Sequence, residues 1–467
     1  MSQVVVVGGG VTGLAAARRL ALAGLEVTVL EAGSRWGGKL APVVVDGVRL
    51  DGGAESMLAR RPQPAALVDA LGRADALVHP TSAKPAVLVG GQLHRLPPSV
   101  LGVPTDVDQL RGLLTGPGYA LAAGEADRPA PELDHDVSIG GYVDSRFGPE
   151  VTDRLLEPLL GGVYAGRARD LSFAAVAPDL FARAAAGGSL GQHARAASGT
   201  GGTGPVFAGL RDGVATLIDF LVDDLTRLGV TLRLGVTVRV LDRTHGRFRL
   251  TAGPVPQPET IFGDGVLLAA PAKASARLLS GVGVPTEEFG RIAYASVAVI
   301  TLVVRGLPVD RSGVLVPPGG LPTVKALTYS SAKWGWVADR AATRWGPDVS
   351  VVRASVGRAG EAAVLQLGDT ALLERTFAEA RTVPGWSGAE LGAGAVSRWG
   401  GALPQYAVGH RDLVARLRAA LTGVPGVALA GAALDGVGIA ACLASADDAT
   451  AKITADLGFG VRERIPG

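Results

Sequence analysis

Residues 4–13 read VVVVGGGVTG, four valines followed directly by a glycine-rich turn. A continuous β-branched run is typical of a strand that is buried on both faces of a parallel sheet. Residues 14–23 are strong helix formers, Gly24 ends the helix, and residues 26–30 predict a second strand. The sequence therefore predicts a βαβ unit whose first turn is rich in glycine.

This turn has the spacing G-x-G-x-x-G of a dinucleotide-binding site, with an acidic residue about 20 positions further on. Gly8 permits the tight turn, Gly10 lets a pyrophosphate approach the backbone, and Gly13 allows the helix to pack closely on the strand. The helix N-terminus offers unpaired N–H groups to the phosphates. Glu31 would bind a ribose diol and repel a 2′-phosphate, so NADP is disfavoured. The alternative is a glycine-rich turn that binds no nucleotide.

A second glycine-rich region follows Glu31 and indicates a cofactor longer than the first βαβ unit can hold. Residues 31–38 read EAGSRWGG, and residues 51–56 read DGGAES. The first segment resembles the E-A-x-x-R-x-G-G stretch of the superfamily of FAD-dependent amine oxidases, phytoene desaturases and protoporphyrinogen oxidases. This resemblance implies that the cofactor is FAD, held without a covalent bond.

Four further segments resemble the Gram-positive type of porphyrinogen oxidase within that superfamily. They are GAESMLARRP at 53–62, GGVYAGRARDLS at 161–172, RWGGALPQY at 398–406 and LDGVGI at 434–439. The matches follow the family's order over nearly the whole chain. Met57 and Leu434 depart from the family pattern, which has aromatic residues there, and AAC at 440–442 replaces the common Pro-x-Cys. These changes are apolar and remove no polar function.

The glycine motif and the resemblance together imply which residues contact FAD. They are Gly8, Gly9, Gly10, Val11, Thr12, Gly13, Glu31, Ala32, Gly38, Lys39, Gly53, Ala54, Glu55, Ser56, Val238, Trp399, Gly431, Val437, Gly438 and Ile439. Trp399 either covers the flavin ring or is an ordinary core aromatic. No side chain is predicted to be a catalytic acid, base or nucleophile, because the resemblance implies hydride transfer from the substrate to flavin N5.

Basic residues near the predicted flavin site are the candidates for binding substrate carboxylates. The guanidinium group of arginine pairs with a carboxylate through two hydrogen bonds. Arg60 and Arg61 directly follow the second glycine turn, and the alternative is that they are a solvated surface pair. The weaker candidates are Lys84, Arg95, Arg167, Arg169 and Lys333.

The resemblance implies an α/β fold with a Rossmann-type FAD-binding domain, like that of glutathione reductase and the amine oxidases. The expected limits are 1–80, 205–280 and 390–467 for the FAD-binding domain, 81–98 and 281–389 for a mixed α/β substrate domain, and 99–204 for a mostly helical insertion. The clearest strands of the substrate domain are at 297–304 and 349–356. The glycine-rich segment SGTGGTG at 198–204 predicts a flexible linker.

The composition narrows the class of protein. Apolar residues make up 48% of the 467 residues, which is enough to bury a large core. The 45 basic and 43 acidic residues nearly balance, so bulk charge does not indicate nucleic-acid binding. The one cysteine excludes an internal disulfide, and the scattered histidines predict no metal site. No apolar run reaches the ~20 residues of a spanning helix, so we expect a cytoplasmic protein that at most contacts a membrane surface.

Two local motifs have simpler interpretations. GGSLG at 187–191 matches the nucleophile elbow of hydrolases, but no buried strand precedes it, so a serine hydrolase is not predicted. Cys442 lies where the C-terminal helix should start, and it is either a low-pKa thiol or a small core residue. The core interpretation is favoured.

The resemblance implies an FAD-dependent oxidase that converts coproporphyrinogen III to coproporphyrin III in haem biosynthesis. Six electrons would leave in three flavin cycles, with O2 reduced to H2O2, and ferrochelatase is a candidate partner. The alternatives are a protoporphyrinogen IX oxidase, an amine oxidase or carotenoid desaturase of the same fold, and a flavin-binding redox sensor or assembly factor without turnover. Tyr406 is one candidate for an amine oxidase's aromatic cage, but Leu434 replaces the other expected member, which argues against an amine oxidase.

Overall fold

The computed structural model describes residues 2–199 and 204–459. Residues 200–203 of the predicted linker lie outside the described residues, whereas residues 198 and 199 end a helix. The helices are α1 (Val11–Leu22), α2 (Pro62–Ala70), α3 (Gly116–Ala123), α4 (Ile139–Phe147), α5 (Pro149–Val151), α6 (Glu157–Tyr164), α7 (Phe173–Val176), α8 (Pro178–Ala184), α9 (Leu190–Gly199), α10 (Thr216–Arg227), α11 (Ala272–Ser280), α12 (Glu287–Gly290), α13 (Ser330–Lys333), α14 (Gly335–Trp345), α15 (Asp369–Ala380), α16 (His410–Thr422) and α17 (Ile439–Asp456). None of these described helices has the length and apolar character that crossing a membrane requires.

The strands form two large sheets and several small ones. They are β1 (Gln3–Val7), β2 (Glu26–Leu30), β3 (Pro42–Val45), β4 (Val48–Asp51), β5 (Met57–Leu58), β6 (Leu77–Val78), β7 (Pro85–Val89), β8 (Gln92–Arg95), β9 (Ser99–Val100), β10 (Val103–Pro104), β11 (Phe207–Leu210), β12 (Thr231–Arg233), β13 (Val238–Thr244), β14 (Arg247–Ala252), β15 (Glu259–Gly263), β16 (Gly265–Leu268), β17 (Tyr294–Arg305), β18 (Gly313–Leu315), β19 (Val324–Tyr329), β20 (Val349–Val356), β21 (Glu390–Pro404) and β22 (Val427–Leu429).

The first large sheet is parallel and has the strand order β12–β2–β1–β16–β22. The valines of β1 alternate between its faces. Val4 and Val6 pack with apolar residues of α1, α10 and α17, whereas Val5 and Val7 pack with residues of β13, β14 and α11. Both faces are therefore covered, as the uninterrupted valine run requires. The predicted α/β fold and its first βαβ unit are confirmed.

The second large sheet has the order β21–β17–β20–β19–β18–β7–β8, and only β18 and β7 pair in parallel. One face packs on an apolar cluster around the buried Trp386. The strands predicted at 297–304 and 349–356 lie in β17 and β20. Residues 390–404, which the sequence placed with the FAD-binding segments, form β21 of this sheet instead. Their glycine-rich sequence has little strand propensity of its own, and antiparallel pairing with β17 stabilises the extended conformation.

Residues 116–199 are mostly helical and surround a third apolar core. Arg146 is completely buried there, and Glu125 accepts hydrogen bonds from its Nε at 2.9 Å and its Nη2 at 2.7 Å. Ser189 of the GGSLG motif donates its hydroxyl to the same carboxylate at 2.5 Å. This serine begins helix α9 and follows no strand, so it has a structural role rather than that of a nucleophile.

Candidate active site

The glycine-rich turn between β1 and α1 lies at the carboxyl edge of the parallel sheet. Gly8 has a φ of +114°, and a Cβ there would lie 2.6 Å from the carbonyl oxygen of Ala269, so only glycine fits. A Cβ on Gly13 would lie 1.9 Å from the Gly8 carbonyl oxygen. Gly10 differs, because no atom beyond its chain neighbours lies within 4 Å of the position of a Cβ. A ligand can therefore approach the backbone at Gly10.

Two helices begin at this edge without a side-chain cap. Helix α1 follows Gly10 and helix α17 follows Gly438, and neither N-cap residue supplies a side-chain hydrogen bond. The space where a Cβ would lie is also open at Gly431 and Gly438. Cys442 in the first turn of α17 packs in one apolar cluster with Val11 and Leu14 of α1, so the two N-termini lie side by side. Their unpaired N–H groups fit the diphosphate of the expected dinucleotide.

Glu31 lies at the end of β2, beside the glycine turn. Its Oε2 accepts the N–H of Gly9 at 2.7 Å, and its Oε1 accepts that of Gly33 at 2.6 Å. Gly38 also reaches the turn, since a Cβ on it would lie 3.4 Å from the Gly10 Cα. The segment from 31 to 38 thus wraps around the glycine turn and leaves the Glu31 carboxylate where a ribose would be bound.

The remaining predicted cofactor residues lie on α1 and α17, in the loop before α17, in the segment 31–38, in the second glycine turn and, for Val238, on β13. Their contacts with FAD stay predictions. Val11, Val238 and Ile439 are buried, Ala54, Ser56 and Val437 are half-buried, and Ala32 is exposed. Burial raises the pKa of the Cys442 thiol, against the smaller opposing effects of Thr12 and Lys39. Burial also lowers the pKa of Lys39. Cys442 is therefore a core residue and not a reactive thiol.

The second glycine turn packs against Trp399. A Cβ on Gly53 would lie 2.0 Å from the Lys39 carbonyl oxygen and 3.0 Å from Cζ2 of Trp399. The indole Nε1 of Trp399 donates to the Gly52 carbonyl at 3.0 Å, and the Arg35 guanidinium lies 5.6 Å from the ring centroid. Trp399 is half-buried, so it forms a wall beside this turn rather than part of a closed core. Its contact with the flavin ring stays a prediction.

Glu55 in this turn is held by two cations. Its Oε1 accepts from Lys333 Nζ at 2.5 Å, and its Oε2 accepts from Arg353 Nη1 at 2.6 Å. Arg353 also donates to the Gly53 carbonyl. Burial alone would raise the pKa of Glu55, but Lys333 and Arg353 lower it to about 2. The ionised carboxylate therefore fastens the second glycine turn to α13 and β20.

The predicted carboxylate-binding residues do not gather into one site. Lys333 is occupied by Glu55. Arg167 and Arg169 are paired with acidic side chains, at 3.3 Å and 2.7 Å respectively. The other candidates are exposed, and among the described residues their side chains have no hydrogen-bond or ion-pair partner; they are Arg60, Arg61, Lys84 and Arg95. Their part in substrate binding stays a prediction.

Three buried cations on the strands of the second large sheet and in the loop after β20 were missed by the sequence analysis. Arg353 and Lys325 lie on β20 and β19 and are 8% and 4% exposed, and the Arg358 side chain in the following loop is 12% exposed. A signal for two of them was present, because Arg353 and Lys325 interrupt apolar strands. A buried cation in such a pattern is rare without a partner or a ligand.

Tyr406 is not available for an aromatic cage. The side chain is completely buried, and its hydroxyl donates to the Ala432 carbonyl at 2.6 Å. Its ring stacks on His410 with 4.0 Å between the centroids, and the Tyr164 ring lies 5.5 Å away. Burial raises the pKa of the Tyr406 hydroxyl. Tyr406 therefore supports the C-terminal turn from within, which agrees with the argument against an amine oxidase.

Comparison with known proteins extends these observations to the whole chain. The chain is 36% identical to the coproporphyrinogen III oxidase of Mycobacterium tuberculosis over 463 residues, which cover 96% of both chains. It is 31% identical to the Bacillus subtilis coproporphyrinogen III oxidase over 94% of this chain and 95% of that one. A crystal structure of an Exiguobacterium sp. 255-15 protein assigned to the protoporphyrinogen oxidases has a TM-score of 0.83 at 32% identity, covering 98% of this chain and 99% of that one.

A family model leads to the same conclusion. The model of the flavin-containing amine oxidoreductases matches residues 11–454, a range that begins at the start of α1, directly after Gly10, and includes the second glycine turn and the start of α17. The resemblance found in the sequence is thus confirmed. The open glycine turn and the two uncapped helix N-termini fit the dinucleotide that this family binds. The chain belongs to the flavin-containing amine oxidoreductase family, and its cofactor is FAD.

Proposed function

We propose that this chain oxidises coproporphyrinogen III to coproporphyrin III. The observation that carries the proposal is its similarity, over nearly the full length of both chains, to coproporphyrinogen III oxidases of Mycobacterium and Bacillus. The segments of the porphyrinogen oxidase pattern meet in this structure: the second glycine turn packs on Trp399, and Gln405 donates to the Tyr164 carbonyl at 2.8 Å. The segments that match the porphyrinogen oxidase pattern are therefore adjacent in space and also follow the family's order along the chain.

The chain's own residues would bind and orient the cofactor. The N-termini of α1 and α17 would hold the diphosphate, and Glu31 would bind the ribose. The contacts of Glu55 and Trp399 would keep the second glycine turn in place beside the flavin. Bound FAD supplies a two-electron acceptor for the substrate's hydrogens. The protein's contribution is positioning and the exclusion of water, which agrees with the prediction of no catalytic acid or base.

The balance of the reaction requires more than one flavin cycle. Conversion of a porphyrinogen to a porphyrin removes six electrons and six protons, so each substrate molecule takes three two-electron oxidations. We assign O2 as the final acceptor, with three O2 reduced to three H2O2. We also propose that the porphyrin product passes to a ferrochelatase. The exposed cations Arg60, Arg61, Lys84 and Arg95 suit the carboxylates of such a substrate.

Protoporphyrinogen IX and an amine are the two alternative substrates. Protoporphyrinogen IX is the second candidate, because the Exiguobacterium protein of similar structure is assigned to the protoporphyrinogen oxidases. An amine substrate is disfavoured, because Tyr406 is buried and Leu434 replaces the other cage residue. The choice between the two porphyrinogens depends on how many carboxylates the site recognises.

The test compares both porphyrinogens with the purified, FAD-loaded protein in air. The appearance of porphyrin fluorescence is followed for coproporphyrinogen III and protoporphyrinogen IX at equal concentrations, with heat-denatured protein as the control for spontaneous oxidation. We expect a higher kcat/KM for coproporphyrinogen III. A higher value for protoporphyrinogen IX would overturn the substrate assignment, and background rates with both would overturn the porphyrinogen proposal.

A further inference from the structure

Lys325 is a buried lysine, and no acidic side chain in the described part of the chain pairs with it. It occupies the extra position of a β-bulge in β19, between Val324 and Ala326, opposite Val356 and Ser355 of β20. The residue is 4% exposed. Among the residues that the structure describes, its ammonium group has no hydrogen-bond or ion-pair partner. Because burying an unpaired charge is costly, such a group points to a ligand that is bound there.

A second buried cation, Arg358, lies near Lys325, because Val316 donates its N–H to the Lys325 carbonyl at 3.0 Å and its carbonyl accepts from Arg358. The Arg358 side chain is 12% exposed, its Nη2 donates to the Val316 carbonyl at 3.1 Å, and its Nε is buried with no partner among the described residues. Glu361 is 4.0 Å from Arg358 Nη1, but its side chain is 46% exposed and it also pairs with Arg167 at 3.3 Å. Glu361 therefore neutralises this pair of buried cations only in part.

The other acidic group in this neighbourhood is Glu157 of α6. Its carboxylate accepts the N–H of Ala168 at 2.6 Å, so one of its oxygens is already engaged, and burial raises its pKa. Lys325, Arg358 and Arg167 thus outnumber Glu361 and Glu157. The net charge of this cluster is therefore positive. The residues with unpartnered cationic groups, Lys325 and Arg358, are largely buried.

The strand opposite the bulge, β20, also carries Arg353, which contacts the second glycine turn. Ser355, which pairs with Ala326, follows two residues after Arg353, and Arg353 reaches the second glycine turn. In the loop that holds Arg358, the N–H of Ala359 donates to the Ala165 carbonyl at 2.7 Å. Ala359 and Ala165 also pack in one apolar cluster with Trp399. The buried cations are therefore beside the groups that surround the flavin site.

We propose that Lys325, with Arg358, binds a carboxylate of the porphyrinogen and is a specificity-determining residue of this enzyme. The inference rests on the proposed function and names the part of the substrate that this site recognises. A carboxylate is the matching group, because it can accept charge-assisted hydrogen bonds from an ammonium and a guanidinium together. The substrate offers four carboxylates, and an apolar substrate would leave both buried cations unpaired.

The test uses FAD-loaded Lys325→Met, which keeps the length of the side chain and removes its charge. We expect KM for coproporphyrinogen III to rise about tenfold with kcat little changed, because the lost charged hydrogen bond is made equally in the ground and transition states. The Kd for the product coproporphyrin III, measured by fluorescence titration without turnover, should rise by a similar factor. The matched control is Lys273→Met, since Lys273 is exposed on α11 and has no side-chain partner among the described residues.

Thermal unfolding of the substrate-free protein separates this role from a structural one. Burial and the nearby Arg358, opposed by Glu361, lower the pKa of Lys325 from its ordinary 10.5 to about 7. Between these pH values the unfolded chain holds more protons at this position than the folded chain, so wild-type stability should rise with pH relative to Lys325→Met. At pH 6 the variant should have a Tm equal to or above that of the wild type.

The outcomes are distinct. An unchanged KM and Kd in Lys325→Met, or a lower Tm than the wild type at pH 6, would overturn the inference and leave the proposed function standing. A fall in kcat with KM unchanged would also overturn it, because binding would not be the step affected. If the wild type fails to oxidise either porphyrinogen, the proposed function is wrong and the inference falls with it.

Discussion

Replacing Glu55 with glutamine is expected to lower the free energy of unfolding by about 3–5 kcal/mol and to release much of the bound FAD. The Glu55, Lys333 and Arg353 side chains are 12%, 18% and 9% exposed, so the variant would leave two largely buried cations without a carboxylate. The second glycine turn would lose its attachment to α13 and β20. Chemical denaturation and the flavin absorbance of the purified variant measure the two effects.

The matched control for Glu55→Gln is Glu259→Gln. Glu259 forms a two-bond pair with Arg233 at 2.9 Å and 2.7 Å, but both side chains are more than a third exposed. Its loss should therefore cost no more than about 1 kcal/mol. Because the pKa of Glu55 is lowered from 4.5 to about 2, its ionised form stabilises the fold above pH 4.5, and this stabilisation is lost as the pH falls towards 2. Equal unfolding free energies for the two variants at pH 7 would contradict the role given to Glu55.

The Gly10→Val variant should fold and yet bind FAD about a hundredfold more weakly. No atom beyond its chain neighbours lies within 4 Å of a Cβ at Gly10, and its φ of −74° is accessible to valine. The branched side chain would occupy the space through which the diphosphate reaches the N-terminus of α1. Loss of about two charged hydrogen bonds accounts for this factor. Flavin titration of the apoprotein measures Kd, and circular dichroism checks the fold.

Gly13→Ala supplies the contrast for Gly10→Val. A Cβ on Gly13 would lie 1.9 Å from the Gly8 carbonyl oxygen, so this change must shift the backbone of α1 or β1. Both variants should lose FAD, but only Gly13→Ala should also lose a large part of its thermal stability. Wild-type FAD affinity in Gly10→Val would show that the diphosphate is bound elsewhere.

The sequence predicted those parts of the fold whose signal is local. The valine run of β1 identified a strand buried on both faces, and the turn at 8–13 identified the helix that follows. Strand β21 was missed because a glycine-rich segment has little propensity of its own, and its conformation depends on pairing with β17 over residues distant in the chain. Sequence patterns record local preferences, whereas such pairing is a tertiary effect.

The same contrast between local sequence signals and tertiary contacts applies to the active site. The glycine turn and Glu31 were predictable because their spacing along the chain reflects the geometry of one βαβ unit. The contact of Glu55 with Arg353 joins residues 298 positions apart, so neither residue's neighbours in sequence reveal the pair. Lys325 could be recognised in the sequence as a lysine within an apolar strand. It lies far along the chain from the flavin motifs, so the sequence did not connect it with the site. Pairings of this kind depend on how the two sheets meet.

Anaerobic mixing of the FAD-loaded protein with coproporphyrinogen III tests the central claim most directly, because it isolates electron transfer to the flavin from the choice of final acceptor. We expect the flavin absorbance to bleach on mixing, with at most one porphyrin formed for every three FAD reduced, because each FAD accepts two of the six electrons. When air is admitted the flavin absorbance should return and the full porphyrin fluorescence should appear. Protein that holds FAD but stays oxidised in the presence of coproporphyrinogen III, and is bleached instead by an amine, would contradict the central claim.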